Sequence, residues 1–300
     1  MNAIFFTNRQ LKKLQNCSLQ KSIDHTESKL YIVENNGKWQ HKKMILKYFY
    51  NNSGEYFKNK LFTINNLIDS TSTINIRALI LPQKLAIAGG QIIGYIMPFI
   101  ENTNLLTLLQ DFKLNTEKKK EYLTQVGQII SQVHDLNKFQ SELFIGDIHE
   151  ANFIVGKEDD QVYVVDSDSF KTKNNLPFAA KYLATNPNIL NMTHKYPINT
   201  EGIHIPNENS DLLCYVFIIL NTIARKEMQK VSIDEYYNYL DYLLSLGFGD
   251  DFIKTCGKIY TNAKNTSPLP YLEQIPNNIY QATYQVFKQR QYISNNNRTK

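Results

Sequence analysis

Between two short apolar runs, the stretch FIGDIHEANFIV (144–155) sets two carboxylates, an imidazole and a carboxamide within six positions, Asp147 to Asn152. Upstream, Lys47 lies in MILKYF, a strand-like pattern that sends its amine off the face opposite to Leu46. Downstream, Asp166 follows VYVV directly, 14 residues beyond Asn152, and Asp168 comes two positions later. These residue types suit the handling of a phosphoryl group. That chemistry asks for a cation at the α/β-phosphates, carboxylate and amide ligands for Mg²⁺, and a carboxylate to orient the attacking hydroxyl. Mg²⁺ prefers hard oxygen ligands and takes only one or two from protein carboxylates. A hairpin between Asn152 and Asp166 would bring both to one edge, where they can share a metal.

The elements that must position these residues follow from periodicity. KLYIVEN (29–35) and KMILKYFY (43–50) are rich in strand formers and are separated by the turn signal NGKW. In SGEYFKNKLFTINNLI (53–68), Phe57, Leu61, Ile64, Leu67 and Ile68 have helical spacing. ALILPQKLAIAGGQIIGYIMPFI reads as two strands joined at Gly89-Gly90. Gly89, Gly90 and Gly94 are not read as a phosphate-binding loop, because no helix starts after them.

Beyond Glu101 the chain turns helical. Tyr122, Val126, Ile129, Ile130, Val133 and Leu136 form one stripe. NFIV and QVYVVD pair as a hairpin across GKEDD, and residues 171–208 show little periodicity. NSDLLCYVFIILNTIA is a helix capped by Asn209 or Ser210 and apolar on every side, hence buried. Residues 233–292 read as helical throughout, and SNNNRTK as a frayed tail. No internal repeat is present. The division is a strand-rich half (1–101), a larger helical half (102–293) and a flexible tail (294–300).

Bulk properties narrow the class. Hydrophobic residues make up 42% and charged residues 20%, which fits a globular chain rather than a disordered one. Cys17, Cys214 and Cys256 are odd in number and lack metal-ligand spacing, so a reducing cytoplasm is the expected setting. The N-terminus has no signal-peptide pattern. The longest apolar run, LLCYVFIIL, is about half of a bilayer span, so no membrane insertion is expected. Residues 1–101 carry 13 Lys/Arg against 6 Asp/Glu. These cations are scattered, with no Arg-rich run and no aromatic platform, so no nucleic-acid partner is expected.

The segments MILKYF, GYIMPFI, GDIHEANFIV, VYVVDSDSF and SDLLCYVFIIL come in the order found in the protein-kinase-like fold. From about residue 20 to 260 the chain resembles bacterial members of the eukaryotic-like Ser/Thr protein kinase family, in which D-x-D-S-F stands for D-F-G. The resemblance implies an α+β, bilobal protein-kinase-like fold. A small antiparallel-sheet N-lobe with one main helix would sit on a larger, mainly helical C-lobe. It implies ATP and Mg²⁺ as cofactors and a protein substrate. Lys47 would hold the α/β-phosphates. Met97 would be the gatekeeper, and the Pro98–Phe99–Ile100 backbone the hinge for adenine. Asp147 would be the catalytic base or orienter, Asn152 and Asp166 the metal ligands. Asp211 would brace the catalytic loop through its backbone.

The chain also departs from that pattern. KSIDHTESKLYIV has no glycine where a Gly-rich loop usually covers the phosphates, and Lys58 and Lys60 lie near the place of the glutamate that pairs with the lysine. Glu55 is about a turn early for that role. IGD replaces H-R-D, so control by loop phosphorylation is not expected. His149 takes the place of a lysine and joins the candidate catalytic residues, and Asp168 is a candidate second metal ligand. GDIH..N is similar to the G-D-x-H-x-x-N of aminoglycoside and choline kinases. A small-molecule alcohol therefore stands as an alternative substrate, and a pseudokinase acting as a binding module as an alternative function.

Overall fold

The computed structural model describes residues 2–15, 27–34, 43–137, 142–173, 175–176, 178–189, 192, 195–261 and 269–298, with backbone alone at 15, 34 and 294–298. The NGKW turn, Cys17, His25, His41, His194 and most of the segment before the second strand lie outside them. The chain is α+β, with a five-stranded sheet in its N-terminal part and a helical C-terminal region.

Alternation of apolar residues builds the sheet. Strand β3 (Lys43–Phe49) pairs antiparallel with β2 (Ser28–Glu34) on one side and with β5 (Gln91–Pro98) on the other. β5 returns to β4 (Lys84–Ala88) through Gly89 and Gly90, both at positive φ, the backbone that glycine adopts without steric penalty. β4 then pairs in parallel with β1 (Ala3–Phe6). The sheet is therefore mixed, where an antiparallel one was expected. A four-residue apolar run with no adjacent strand gives no sign of pairing with a segment some 80 residues away.

The two faces of the sheet do different work. One face buries Met44, Leu46, Tyr31, Ala86 and Ile96, with Leu11 and Leu14 of helix α1 (Asn8–Gln15) packed against them. The other carries Ile45, Phe49, Leu85, Tyr95 and Met97 toward helix α2 (Gly54–Ser70). Lys47 falls on this second face by the period of two. It stands opposite Tyr95 in the β3–β5 register. Gly94 makes that register possible: a Cβ there would lie 1.9 Å from the Lys47 carbonyl oxygen. Its role is close backbone approach.

Helix α2 buries Phe57, Lys60, Thr63, Ile64, Leu67 and Ile68. After β5 come β6 (Asn102–Asn104), α3 (Leu105–Gln110) and α4 (Thr116–Asn137). β6 joins β7 (Phe153–Gly156) and β8 (Val162–Val164) in a small antiparallel sheet, so the expected hairpin gains a third strand. The described residues between 171 and 207 are mostly irregular and include the short helix α5 (Lys181–Ala184).

Helix α6 (Glu208–Ala224) is buried almost all round. Its cap is Asn207, in a reciprocal box with Ser210, and neither Asn209 nor Ser210 caps it. α7 (Ile233–Ser245) and α8 (Asp250–Thr261) follow. The described chain then makes only single 3₁₀ turns at Leu272–Gln274 and Tyr280–Ala282 before α9 (Tyr284–Arg298). The 233–292 stretch is thus not helical throughout, and the helix continues to Arg298 through most of the segment read as a tail. Among the described residues no helix is long and apolar enough to cross a membrane, and Cys214 and Cys256 are buried free thiols.

Candidate active site between the sheet and the helices

A cavity of about 570 Å³ opens where the five-stranded sheet faces the small sheet. Leu30, Ile45 and Met97 wall it from one side, Ile154 and Val165 from the other, and Pro98, Phe99 and Ile100 close its back edge. Its polar end carries Glu27, Lys47, Lys60, Asn152 and Asp166. An apolar slot with a few convergent polar groups at one end is the usual form of a small-molecule site.

At the polar end Lys47 is buried and shared by two carboxylates. Its Nζ donates to Asp166 Oδ1 and, at 2.6 Å, to Asp168 Oδ1. Burial alone would lower the Lys47 pKa, but the facing Asp166 and Asp168 carboxylates outweigh it and hold the ammonium well above the usual lysine range. The Asp166 side chain is 37% exposed and lines the cavity, whereas Asp168 is fully buried.

The letters of DSDSF divide the labour. Asp166 sits in the left-handed region (φ 65°), which Asp tolerates better than most residues. Ser169 folds back on it, with N–H and Oγ both donating to the Asp166 carbonyl at 3.1 and 2.8 Å. Ser167 Oγ donates to the Ile80 carbonyl (3.1 Å), and Phe170 is buried in the main core. Asp168, a candidate metal ligand by sequence, instead has both oxygens engaged. Oδ1 accepts from Lys47 and from Tyr95 Oη (2.8 Å), and Oδ2 accepts from Lys60 Nζ (2.9 Å). Burial would raise its pKa, but Lys47 and Lys60 hold the carboxyl well below the usual range.

Residues 145–152 are pinned from beneath. Asp211 Oδ2 accepts from Ile145 N–H (3.2 Å) and Oδ1 from Gly146 N–H (3.0 Å), which is the backbone bracing expected of Asp211. Gly146 has φ +75°, and a Cβ there would meet Pro206 at 3.0 Å, so glycine is required. Ile148 is fully buried, and Glu150 is buried against the Tyr182 hydroxyl. His149 Nδ1 accepts from Ala151 N–H (3.3 Å), which leaves Nε2 at 3.6 Å from Asp147 Oδ2. Asn152 Nδ2 donates to the Asp147 carbonyl (2.9 Å), leaving its Oδ1 for another partner.

Asp147 Oδ1 accepts from Lys181 N–H at 2.7 Å. Its Oδ2 has only the long contacts to Asn152 Nδ2 (3.4 Å) and His149 Nε2. These weak contacts leave Oδ2 the oxygen with capacity for a further donor. Burial raises the Asp147 pKa, but His149 and the hydrogen bonds prevail and keep it below the usual carboxylate value.

The structure thus gathers Lys47, Met97, Pro98, Phe99, Ile100, Asn152 and Asp166 around one cavity and sets Asp147 and His149 in the adjoining loop. Glu55 is not the partner of Lys47, since it pairs with Lys58 on the surface (2.5 Å). Lys60, Glu27 and Tyr95 had been assigned no role. Lys60 left a trace in the sequence: a lysine on the Phe57–Ile64–Leu67 stripe is an anomaly on a buried face. Tyr95 alternates in phase with Met97, but its acceptor lies 73 residues away.

Among the described residues no three His, Cys, Asp or Glu side chains form a metal cage. One carboxylate of Asp166 and the amide oxygen of Asn152 fit Mg²⁺, which is commonly completed by water and phosphate. No protein-family model matches the chain, and no curated protein is significantly similar to it.

Proposed function

We propose that the chain is a Mg·ATP-dependent phosphotransferase of the protein-kinase-like fold, with the Ser/Thr hydroxyl of a protein as acceptor. The observation that carries this reading is the convergence of Lys47, Asn152 and Asp166 on one apolar-walled cavity, Lys47 coming from more than 100 residues before the other two. The apolar slot suits a purine ring, and the backbone of Pro98–Ile100 offers its edge hydrogen bonds. Lys47, fully charged at neutral pH, meets the phosphates. Asn152 and Asp166 would hold Mg²⁺, which neutralises phosphate charge when bound.

Asp147 Oδ2 orients the acceptor hydroxyl and accepts its proton. His149 keeps that carboxylate aimed. Helix α5 reaches Asp147 through the Lys181 N–H, and the described chain around it would offer an extended acceptor a surface beside the reacting oxygen. A small-molecule acceptor is the second reading. It is favoured by a cavity of about 610 Å³ on the other side of Ala151, lined in part by Leu109, Phe112, Tyr182 and Arg225.

Thermal shift with Mg·ATP tests the nucleotide half of this reading. A nucleotide at 100 times its Kd adds about 2.7 kcal/mol of stability. The wild type and Asp147→Ala are expected to gain Tm, because Asp147 serves the acceptor, whereas Asp166→Ala loses the Mg²⁺-dependent part. No gain in wild type at millimolar Mg·ATP would contradict the proposal.

A further inference from the structure

Lys47 cannot be held in place by Asp166 alone if Asp166 also serves a metal. The fixed partner is Asp168, which is fully buried and lies outside the cavity lining. Tyr95 holds Asp168 Oδ1 beside Lys47, and Lys60 holds the other oxygen, its Nζ lying 2.9 Å from the Oδ2 that Lys47 does not use. Lys60 is itself tightly confined. Glu27, just before β2, takes its ammonium at 2.7 Å, and the rings of Phe49, Tyr56 and Phe178 surround it at 5.3–5.9 Å. These groups come from the sheet, from α2 and from the 171–208 segment.

We propose that Lys60 is the positioning residue for Lys47, acting through Asp168 in place of a carboxylate on helix α2. The polarity of the helix-to-lysine link is inverted: the helix supplies a cation, and a buried carboxylate from the DSDSF segment bridges it to the strand lysine. This rests on the phosphotransferase reading of the same cleft. With Lys60 removed, Asp168 Oδ2 loses its charged partner and only Oδ1 stays anchored, by Tyr95 and Lys47 itself, so the carboxylate can pivot about Oδ1 and shift Lys47 from the phosphates. A lysine acting directly on the phosphates would instead contribute regardless of Asp168.

The test is Mg·ATP affinity, measured with a fluorescent ATP analogue, in Lys60→Met, Lys60→Arg, Asp168→Asn and the Lys60→Met/Asp168→Asn double variant. Urea melts establish that each is folded. Lys60→Met is expected to raise Kd at least tenfold in the wild-type background and less than twofold in the Asp168→Asn background. Lys60→Arg should stay within threefold of wild type. An equal loss in both backgrounds, or no loss in the wild-type background, overturns the proposal. If Lys60→Met does not fold, Lys60→Gln, alone and with Asp168→Asn, is read by the same criteria. A wild type that binds no Mg·ATP overturns the phosphotransferase reading itself. A wild type that binds while Lys60→Met binds equally well overturns only the role of Lys60.

Discussion

Asp168 shows how much one buried carboxylate can organise: two ammonium groups and a phenol close on it with no solvent access. Removing one partner of a buried ion pair costs about 3–5 kcal/mol, and Asp168→Asn should lose that amount in urea melts at pH 7. The folded-state pKa of Asp168 is depressed, so its contribution is complete above the unfolded value of 3.8 and is lost as pH falls toward the folded value. The gap between wild type and Asp168→Asn should therefore stay constant from pH 7 to 5 and shrink below about pH 4. A gap that does not change with pH would mean the carboxylate is not the source. Gly94→Ala should cost about 3 kcal/mol, read in the same melts, because its Cβ would strike the Lys47 carbonyl and force β3 and β5 apart. At this scale the gathering of Lys47, Asn152 and Asp166 at one cavity was legible from residue type and spacing. The buried pairing of Asp168 was not, because its partner Lys60 lies 108 residues away.

Helix α6 is the element on which the loop geometry depends. Its apolar sequence made it visible, but its start was misplaced, since NENS offers several residues able to cap. Geometry selects Asn207, whose side chain reaches Ser210 N–H at 2.9 Å. Asn207→Ala should cost about 1 kcal/mol, measured as a shift in the urea midpoint. Asp211, in the first turn of α6, matters more, because its loss strands two buried N–H groups at Ile145 and Gly146. At about 1–3 kcal/mol per unsatisfied group, Asp211→Ala should be clearly destabilised. Asp211→Asn keeps one acceptor oxygen and should recover part of the loss. Equal stability of the two variants would contradict the bracing role. Strand β1 and the third strand of the small sheet were not legible, because three- or four-residue strands acquire meaning only from distant neighbours.

Across the whole molecule, the sheet supplies the cation and the apolar roof, and the helical region supplies the carboxylates and the loop. The order of the longer elements was readable because each carries its own periodicity, from the alternation of MILKYF to the continuous apolar run of α6. The mixed topology of the sheet and the Lys60–Asp168 bridge were not, since both depend on which surfaces meet. On the phosphotransferase proposal, the γ-phosphoryl group of ATP passes to an acceptor hydroxyl oriented by Asp147. Incubating the protein with Mg²⁺ and γ-labelled ATP, alone and with a panel of protein and small-molecule alcohols, measures this directly. Label is expected on a Ser/Thr hydroxyl with wild type, falling at least 100-fold with Asp147→Ala and with Asp166→Ala. Saturable nucleotide binding with no transfer to any acceptor, or equal transfer by Asp147→Ala, would contradict it.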